Sequence, residues 1–202
     1  MLHYRKIDKT SLVFGLDWRI AQDRNDLKSI LAEGEKPVAK IVQKTDSGLL
    51  AGIAYEPVKE RSLPAAMVLA QMFESAVVFV PLDDQLAWLC AVHDHLPVPG
   101  RDLVLPMGNA RDEALALASL FPTATLIGEI PGAALTAEDL WQGIESFLED
   151  KESRKKLRKA WIARTKTAAD HFRLALIVLL PVAAGTGYIL WKQHEAERLA
   201  RE

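Results

Sequence analysis

Residues 76–92 read AVVFVPLDDQLAWLCAV, two apolar runs with a pair of aspartates between them. Valine and aromatic residues favour strands, and aspartates between two such runs favour a turn. The pattern predicts a β-hairpin in which Ala76–Pro81 pairs with Gln85–Val92. Asp83 and Asp84 are therefore interpreted as turn residues rather than as a pair of catalytic acids.

Strand and helix patterns alternate on both sides of this hairpin. Predicted strands cover Ser11–Trp18, Val38–Val42, Leu49–Tyr55, Leu103–Leu105 and Thr123–Ile130. Predicted helices begin at capping or helix-opening residues and cover Asp23–Glu33, Pro64–Phe73, Asn109–Leu120 and a stretch starting at Thr136. Residues 93–100 are proline-rich and predict a loop. Several neighbouring strands look hairpin-linked, so we expect an α/β domain with a mixed sheet.

The charge of the 202-residue chain is unevenly distributed. Residues 1–150 carry 13 Lys and Arg against 22 Asp and Glu, a balance of −9, whereas residues 151–173 carry nine basic and two acidic residues. The single cysteine, Cys90, supplies neither a disulfide nor a metal quartet and is expected to be a small buried side chain.

Residues 174–191 read LALIVLLPVAAGTGYILW and carry no charge. At about 1.5 Å per residue, these residues would span roughly 27 Å as a helix, close to the hydrocarbon thickness of a bilayer. Tyr188 and Trp191 fall where aromatic rings favour the membrane interface, and Arg173 and Lys192 bracket the run. The alternative is a buried core helix, which seldom lacks a polar face over this length.

The flanking charges predict the orientation of this helix. Nine basic residues precede it and three follow it, which places the N-terminal side in the cytoplasm. Residues 1–9 do not resemble a signal peptide, which agrees with that orientation. We expect a single-pass protein of the bacterial inner membrane. Ala183 and Gly187 form a small-residue pair that could bring two such helices together in a homo- or hetero-oligomer.

Four segments follow from these patterns: a cytoplasmic α/β domain (1–150), a basic juxtamembrane helix (151–173), the transmembrane helix (174–191) and a short periplasmic tail (192–202). The basic run has three interpretations: a topology signal, a patch for anionic lipid, or a nucleic-acid site. An acidic domain disfavours nucleic acid, so membrane lipid is the expected contact. The predicted membrane-flanking residues are Arg154, Lys155, Lys156, Arg158, Lys159, Arg164, Lys166, Arg173, Tyr188, Trp191 and Lys192.

Catalytic motifs are sparse in the sequence. There is no phosphate-binding loop, no G-x-G-x-x-G and no G-x-S-x-G. His93 and His95 could reach one metal from an extended loop, but no third ligand is indicated, and an exposed polar loop is the simpler interpretation. Asp17 ends a predicted strand, as an acid of a nucleotide-binding fold would. We expect no enzymatic activity, no metal and no cofactor.

A family resemblance lies in five short stretches: Val13–Arg19 (VFGLDWR), Ala39–Val42, Gly52–Ala54, Ala87–Val92 and Pro99–Val104. Together with the order of segments, these stretches resemble the pilin accessory protein PilO of type IVb pili over roughly residues 11–191. The layout is also similar to that of L-type proteins of type II secretion. Those proteins have an actin-like, catalytically degenerate fold and contact an assembly ATPase.

The resemblance implies a non-enzymatic scaffold of an inner-membrane assembly platform, with other platform proteins and an assembly ATPase as partners. Longer members continue into a periplasmic coiled coil, so the chain, which ends at Glu202, is expected to be a short form or a fragment. Two other functions remain open: a membrane-anchored sensor or regulator of a small ligand, and a nucleotide hydrolase that uses Asp17.

Overall fold

The computed structural model describes residues 1–59, 62–157, 160 and 162–164, which contain eleven strands and five helices. The strands are β1 (His3–Ile7), β2 (Thr10–Phe14), β3 (Asp17–Ala21), β4 (Ala39–Thr45), β5 (Gly48–Ala54), β6 (Ser62–Pro64), β7 (Ala76–Pro81), β8 (Leu86–His93), β9 (Leu96–Pro106), β10 (Thr125–Gly128) and β11 (Ala163–Arg164). The helices are α1 (Arg24–Ala32), α2 (Ala65–Met72), α3 (Met107–Leu120), α4 (Ala137–Glu149) and α5 (Lys151–Leu157). The fold is mixed α/β, as predicted.

The hairpin predicted from residues 76–92 is confirmed and forms the centre of a four-stranded sheet. Strands β7, β8 and β9 form an antiparallel meander, and β10 returns parallel to β7 after helix α3, giving the order β10-β7-β8-β9. The carboxylate of Asp83 accepts the backbone N–H groups of Gln85 (2.9 Å) and Leu86 (2.8 Å). This aspartate is a turn residue, as expected.

The loop predicted over residues 93–100 is wrong, because β9 begins at Leu96. Asp94 and His95 adopt left-handed backbone conformations, with φ of 51° and 58°, and this pair of positive φ angles closes a tight hairpin between β8 and β9. β9 lies at the edge of its sheet, where a proline lacking an N–H is tolerated. Proline content therefore gave a misleading signal here.

The remaining strands form two further sheets, with orders β1-β2-β6 and β11-β4-β5-β3. The single strand predicted over Ser11–Trp18 is divided into β2 and β3 at Gly15, whose φ of 83° breaks the extended backbone. Strand β1 escaped prediction because its sequence, HYRKI, is mostly polar and lacks an apolar run. The strands predicted over Val38–Val42 and Leu49–Tyr55 correspond to β4 and β5, which pair as an antiparallel hairpin.

The helix starts are partly as predicted. Asp23 caps α1, and Thr136 caps α4 in a reciprocal capping box with Asp139. The cap predicted for α3 is wrong: Pro106 occupies that position, and Asn109 lies inside the first turn. Proline fixes its own φ and ends β9, so the helix can begin immediately afterwards.

The basic segment differs from the long helix predicted over 151–173. Helix α5 ends at Leu157, and Ala163–Arg164 form β11, which pairs antiparallel with Ala39 and Lys40 of β4. Met1–Arg164 is one compact unit by internal contacts. Among the helices of the described residues, none has the length and apolarity needed to cross a membrane. The predicted membrane helix, 174–191, lies outside those residues.

Helices cover both faces of the β10-β7-β8-β9 sheet. α3 packs on one face, where Leu117 shares a buried cluster with Val77 and Leu89, and the other face joins the largest core cluster together with α2 and α4. Cys90 is fully buried, as predicted.

Candidate functional site

Asp102 on β9 is a buried carboxylate at the junction between two sheets. Its Oδ1 accepts N–H groups from the Gly15 backbone (3.0 Å) and the Trp88 indole (2.9 Å). Its Oδ2 accepts from the Leu16 backbone (3.2 Å) and the Trp18 indole (2.9 Å). We call these five residues the Asp102 cluster.

The Asp102 cluster has the hydrogen-bonding and burial of a structural site. Burial raises the pKa of Asp102, and the four N–H donors oppose that effect. All four partners are donors, so both carboxylate oxygens are saturated with hydrogen bonds. A saturated carboxylate shut off from solvent holds sheets together and is not placed to exchange protons with a substrate.

Gly52 on β5 completes the packing around the Asp102 cluster. A Cβ atom at this position would lie 2.8 Å from Cη2 and Cζ3 of the Trp18 ring and 3.0 Å from Cγ2 of Ile41. Trp88 meets Phe14 edge to face, with ring centroids 4.9 Å apart. The five stretches that carry the family resemblance, all within residues 13–104, thus contribute residues that meet in this region.

Asp17, the candidate nucleotide-binding acid, forms an ion pair instead. The Arg19 Nε lies 3.0 and 2.9 Å from the two carboxylate oxygens of Asp17, and the Tyr55 hydroxyl lies 3.4 Å from one of them. Asp17 also begins β3 rather than ending a strand. Its carboxylate is therefore occupied by a partner on the same strand and by Tyr55, the residue that follows β5.

His93 and His95 do not converge on one metal position. Asp94 and His95 itself both adopt left-handed backbone conformations, so the extended geometry that would align the two imidazoles is absent. Nδ1 of His95 lies 3.1 Å from the Ala70 carbonyl, and Nδ1 of His93 lies 3.4 Å from the Ser75 hydroxyl. No group of three or more metal-ligating side chains occurs in the part of the chain that the structure describes.

Helix α5 brings three predicted membrane-flanking residues together on an exposed surface. Arg154, Lys155 and Lys156 are all exposed, and they share the helix with exposed Lys151. We call these four residues the basic α5 face. Lys155 has an ion pair with Glu152, but at 4.0 Å and with both side chains more than 70% exposed, it neutralises little.

α5 is firmly held despite its exposed charges. The Asp150 carboxylate caps it by accepting the Ser153 N–H at 2.8 Å, and Leu157 at its end is 1% exposed. Beyond α5, Ala160 and Ile162 are also buried, and β11 pairs with β4. The domain thus fixes the direction in which the basic α5 face points.

The other predicted flanking residues do not belong to the basic α5 face. Arg164 belongs to β11. Arg158, Lys159, Lys166, Arg173, Tyr188, Trp191 and Lys192 lie outside the described residues.

Two cations near α5 were not predicted from the sequence. Lys9, in the β1–β2 turn, lines a surface depression together with Arg154, and the acidic residues Asp8, Glu145 and Glu149 line it as well. Lys44 on β4 lines another with Lys156. Both lie far from residues 151–173 in the acidic part of the sequence, so no local charge pattern could have revealed them.

Comparisons with known proteins give little further information. No protein-family model matches the chain, and no curated protein matches it. Among solved structures, the chain is similar to the cytoplasmic domain of BfpC, with a TM-score of 0.41 and 13% identity over 61% of this chain and 80% of that chain. A likeness of this degree assigns neither a family nor a function to the chain.

Proposed function

We propose that the chain is a non-enzymatic scaffold of an inner-membrane assembly machine of the type IV pilus or type II secretion kind. The α/β domain docks an assembly ATPase or another platform protein on the cytoplasmic side, and the helix at 174–191 tethers it. This proposal rests on the sequence resemblance and on the charge layout. The degenerate actin-like fold that the resemblance implies is part of the proposal.

The observation that carries the proposal is the exposed basic α5 face at the end of the described domain. Its helix is anchored by Leu157; beyond it Ala160 and Ile162 are buried, and β11 pairs with β4. Only nine residues, 165–173, then precede the predicted span. A connection this short, at most about 3.5 Å per residue, limits how far the domain could stand from a bilayer.

The basic α5 face has the charge that an anionic bilayer surface attracts. Each Lys or Arg near such a surface contributes about 1 kcal/mol, and the attraction falls off within a Debye length. Four fixed cations on one helix would orient the domain rather than merely hold it near the lipid.

Two measurements test the proposal. The first is affinity capture of the full chain from detergent-solubilised native membranes, read by mass spectrometry; we expect an assembly ATPase or pilus or secretion platform proteins in near-stoichiometric amounts. Recovery of no such protein would contradict the scaffold function.

The second measurement is hydrogen exchange of the full chain in nanodiscs. We expect the α5 amides to exchange more slowly in discs containing phosphatidylglycerol than in phosphatidylcholine discs, and high salt to remove the difference. Equal exchange in both kinds of disc would show that the basic α5 face does not contact lipid.

A further inference from the structure

The β11-β4-β5-β3 sheet has an outer face that α1 covers only in part. Leu27 of α1 packs against Ala51 and Ile53 of β5. The register pairs Val42 of β4 with Ala51, so both side chains project from the same face of the sheet. Val42 is nevertheless 40% exposed, whereas Ala51 is fully buried. α1 therefore leaves the β4 side of this face open among the residues that the structure describes.

The open side is a groove of about 780 Å³ between α1 and β4. Neighbouring strands lie about 4.8 Å apart, and packed helices need about 8–10 Å between their axes. A second helix laid beside α1 would therefore lie over β4. Such a helix would complete the layer that α1 begins.

The walls of this α1–β4 groove are basic and its floor is apolar. The cations stand four residues apart on each wall: Arg24 and Lys28 on α1, and Lys40 and Lys44 on β4. The apolar floor consists of Leu27 and Leu31 of α1, Leu49 of β5, and Val42, which stands between Lys40 and Lys44 in the same row of β4 side chains. None of the four cations has an ion pair with another described residue.

Two carboxylates also line the groove, and one of them is already occupied. Asp23 accepts the backbone N–H groups of Asn25 (2.7 Å) and Asp26 (2.9 Å) as the cap of α1. Asp46 lies in the turn between β4 and β5. The groove thus has an excess of free positive charge in a part of the sequence whose overall balance is negative.

We propose that the α1–β4 groove docks an acidic amphipathic helix of a partner protein. The inference rests on the proposed scaffold function and adds the place and the chemistry of docking. An apolar ridge on the incoming helix would cover Val42 and Leu49, and carboxylates on its flanks would face the lysines of β4 and the basic residues of α1. This is helix-in-groove recognition with complementary charge on both walls.

The shape favours a helix over a lipid surface as the occupant. The apolar floor lies between two walls, so a ridge can reach it more readily than a flat array of headgroups can. The basic α5 face, in contrast, is an exposed helix surface.

The test uses a synthetic helical probe and the full chain in phosphatidylcholine nanodiscs. The probe is a fluorescein-labelled peptide of about 18 residues, long enough to form a helix, with leucines along one face and glutamates on both flanks. A peptide of the same composition in scrambled order is the control for charge alone. Binding is followed by fluorescence anisotropy.

Two variants with equal charge changes separate the groove from general electrostatics. Lys40→Glu with Lys44→Glu reverses the β4 wall, and Lys6→Glu with Lys9→Glu reverses two exposed lysines outside the groove. We expect the first pair to weaken peptide binding at least about tenfold and the second to change it less than about threefold. The scrambled peptide should bind more weakly than the probe to the unmodified chain.

Three results would overturn the inference: no binding of the probe, equal weakening by both variant pairs, or no preference over the scrambled peptide. If Lys40→Glu with Lys44→Glu instead removes the protection of α5 in phosphatidylglycerol discs and spares peptide binding, the β4 lysines contact lipid. The scaffold function is judged separately, because affinity capture of platform proteins depends on whether partners bind and not on which groove binds them.

Discussion

The Asp102 cluster contains a buried charge that is fully hydrogen-bonded, whereas the basic α5 face consists of exposed charges. Asp102 is 3% exposed and has four N–H donors, whereas the cations of α5 are exposed and almost unpaired. A buried charge must be satisfied inside the protein, so it constrains the fold. An exposed, unpaired charge adds little to stability and remains available to lipid or to a partner. We therefore expect substitutions in the two regions to separate folding from function.

The largest effect on stability is expected at Asp102. Asp102→Asn replaces one acceptor oxygen with an amide that faces two N–H donors, and the resulting unsatisfied buried groups should lower the free energy of unfolding by about 3–5 kcal/mol. Urea unfolding of the full chain in detergent measures the loss. Asp94→Asn is the matched control: its side chain is 76% exposed and asparagine tolerates the positive φ there, so the change should stay within about 0.5 kcal/mol. Similar values for both variants would refute the anchoring role of Asp102.

Gly52 should give the next largest effect. Gly52→Ala forces a methyl group against the Trp18 ring, and overpacking of this kind should cost about 1–3 kcal/mol. Gly108→Ala in α3 meets no atom within 4 Å, and it should leave stability unchanged or raise it by up to about 1 kcal/mol. Thermal unfolding measures both changes in stability: the melting temperature should fall for Gly52→Ala and should stay the same or rise for Gly108→Ala. A neutral Gly52→Ala would mean that the Trp18 ring can move aside.

The capping box of α4 should give a smaller, pH-dependent effect. Thr136→Ala removes the hydroxyl that hydrogen-bonds Asp139, at a cost of about 1 kcal/mol near neutral pH. Hydrogen bonds from Thr136 lower the pKa of Asp139, so its stabilising contribution is present above the unfolded-state pKa and is lost as pH falls through the folded-state pKa. The difference in free energy of unfolding between the Thr136→Ala variant and the unmodified chain should therefore be smaller at acidic pH than at neutral pH. A gap that widens in acid would contradict this account.

The smallest effect on stability is expected on the basic α5 face. Neutralising Arg154, Lys155 and Lys156 to glutamine should change the free energy of unfolding by no more than about 0.5 kcal/mol, since the side chains are exposed. The same variant should lose the slower α5 amide exchange expected in phosphatidylglycerol nanodiscs. Strong destabilisation would show instead that these cations belong to the fold.

Sequence patterns predicted the parts of the fold that local chemistry decides. The hairpin of residues 76–92, the β4–β5 hairpin and the caps at Asp23 and Thr136 follow from alternating apolar residues, turn residues and side-chain caps. Only Leu103–Leu105 of strand β9 was predicted, because the prolines of residues 93–100 suggested a loop and sequence alone does not reveal that a strand will lie at a sheet edge.

Local sequence patterns could not predict the Asp102 cluster or the α1–β4 groove, because both bring together residues that are distant in the sequence. The donors to Asp102 come from residues 14 to 87 positions away in the sequence. The cations of the α1–β4 groove are spaced along a charge-mixed stretch, and only the sheet register places Lys40 and Lys44 on the face that α1 shares. Such constellations depend on pairing between distant segments.

The most direct test of the tethered-scaffold account is the membrane orientation of the full chain in cells. A phosphatase that is active only outside the cytoplasm is fused after Glu202, and the unmodified chain is compared with one carrying glutamate at Arg154, Lys155, Lys156, Arg158 and Lys159. The account predicts an active phosphatase on the unmodified chain and a clear loss of activity or insertion when these charges are reversed. An inactive phosphatase on the unmodified chain, or unchanged insertion and orientation after charge reversal, would contradict it.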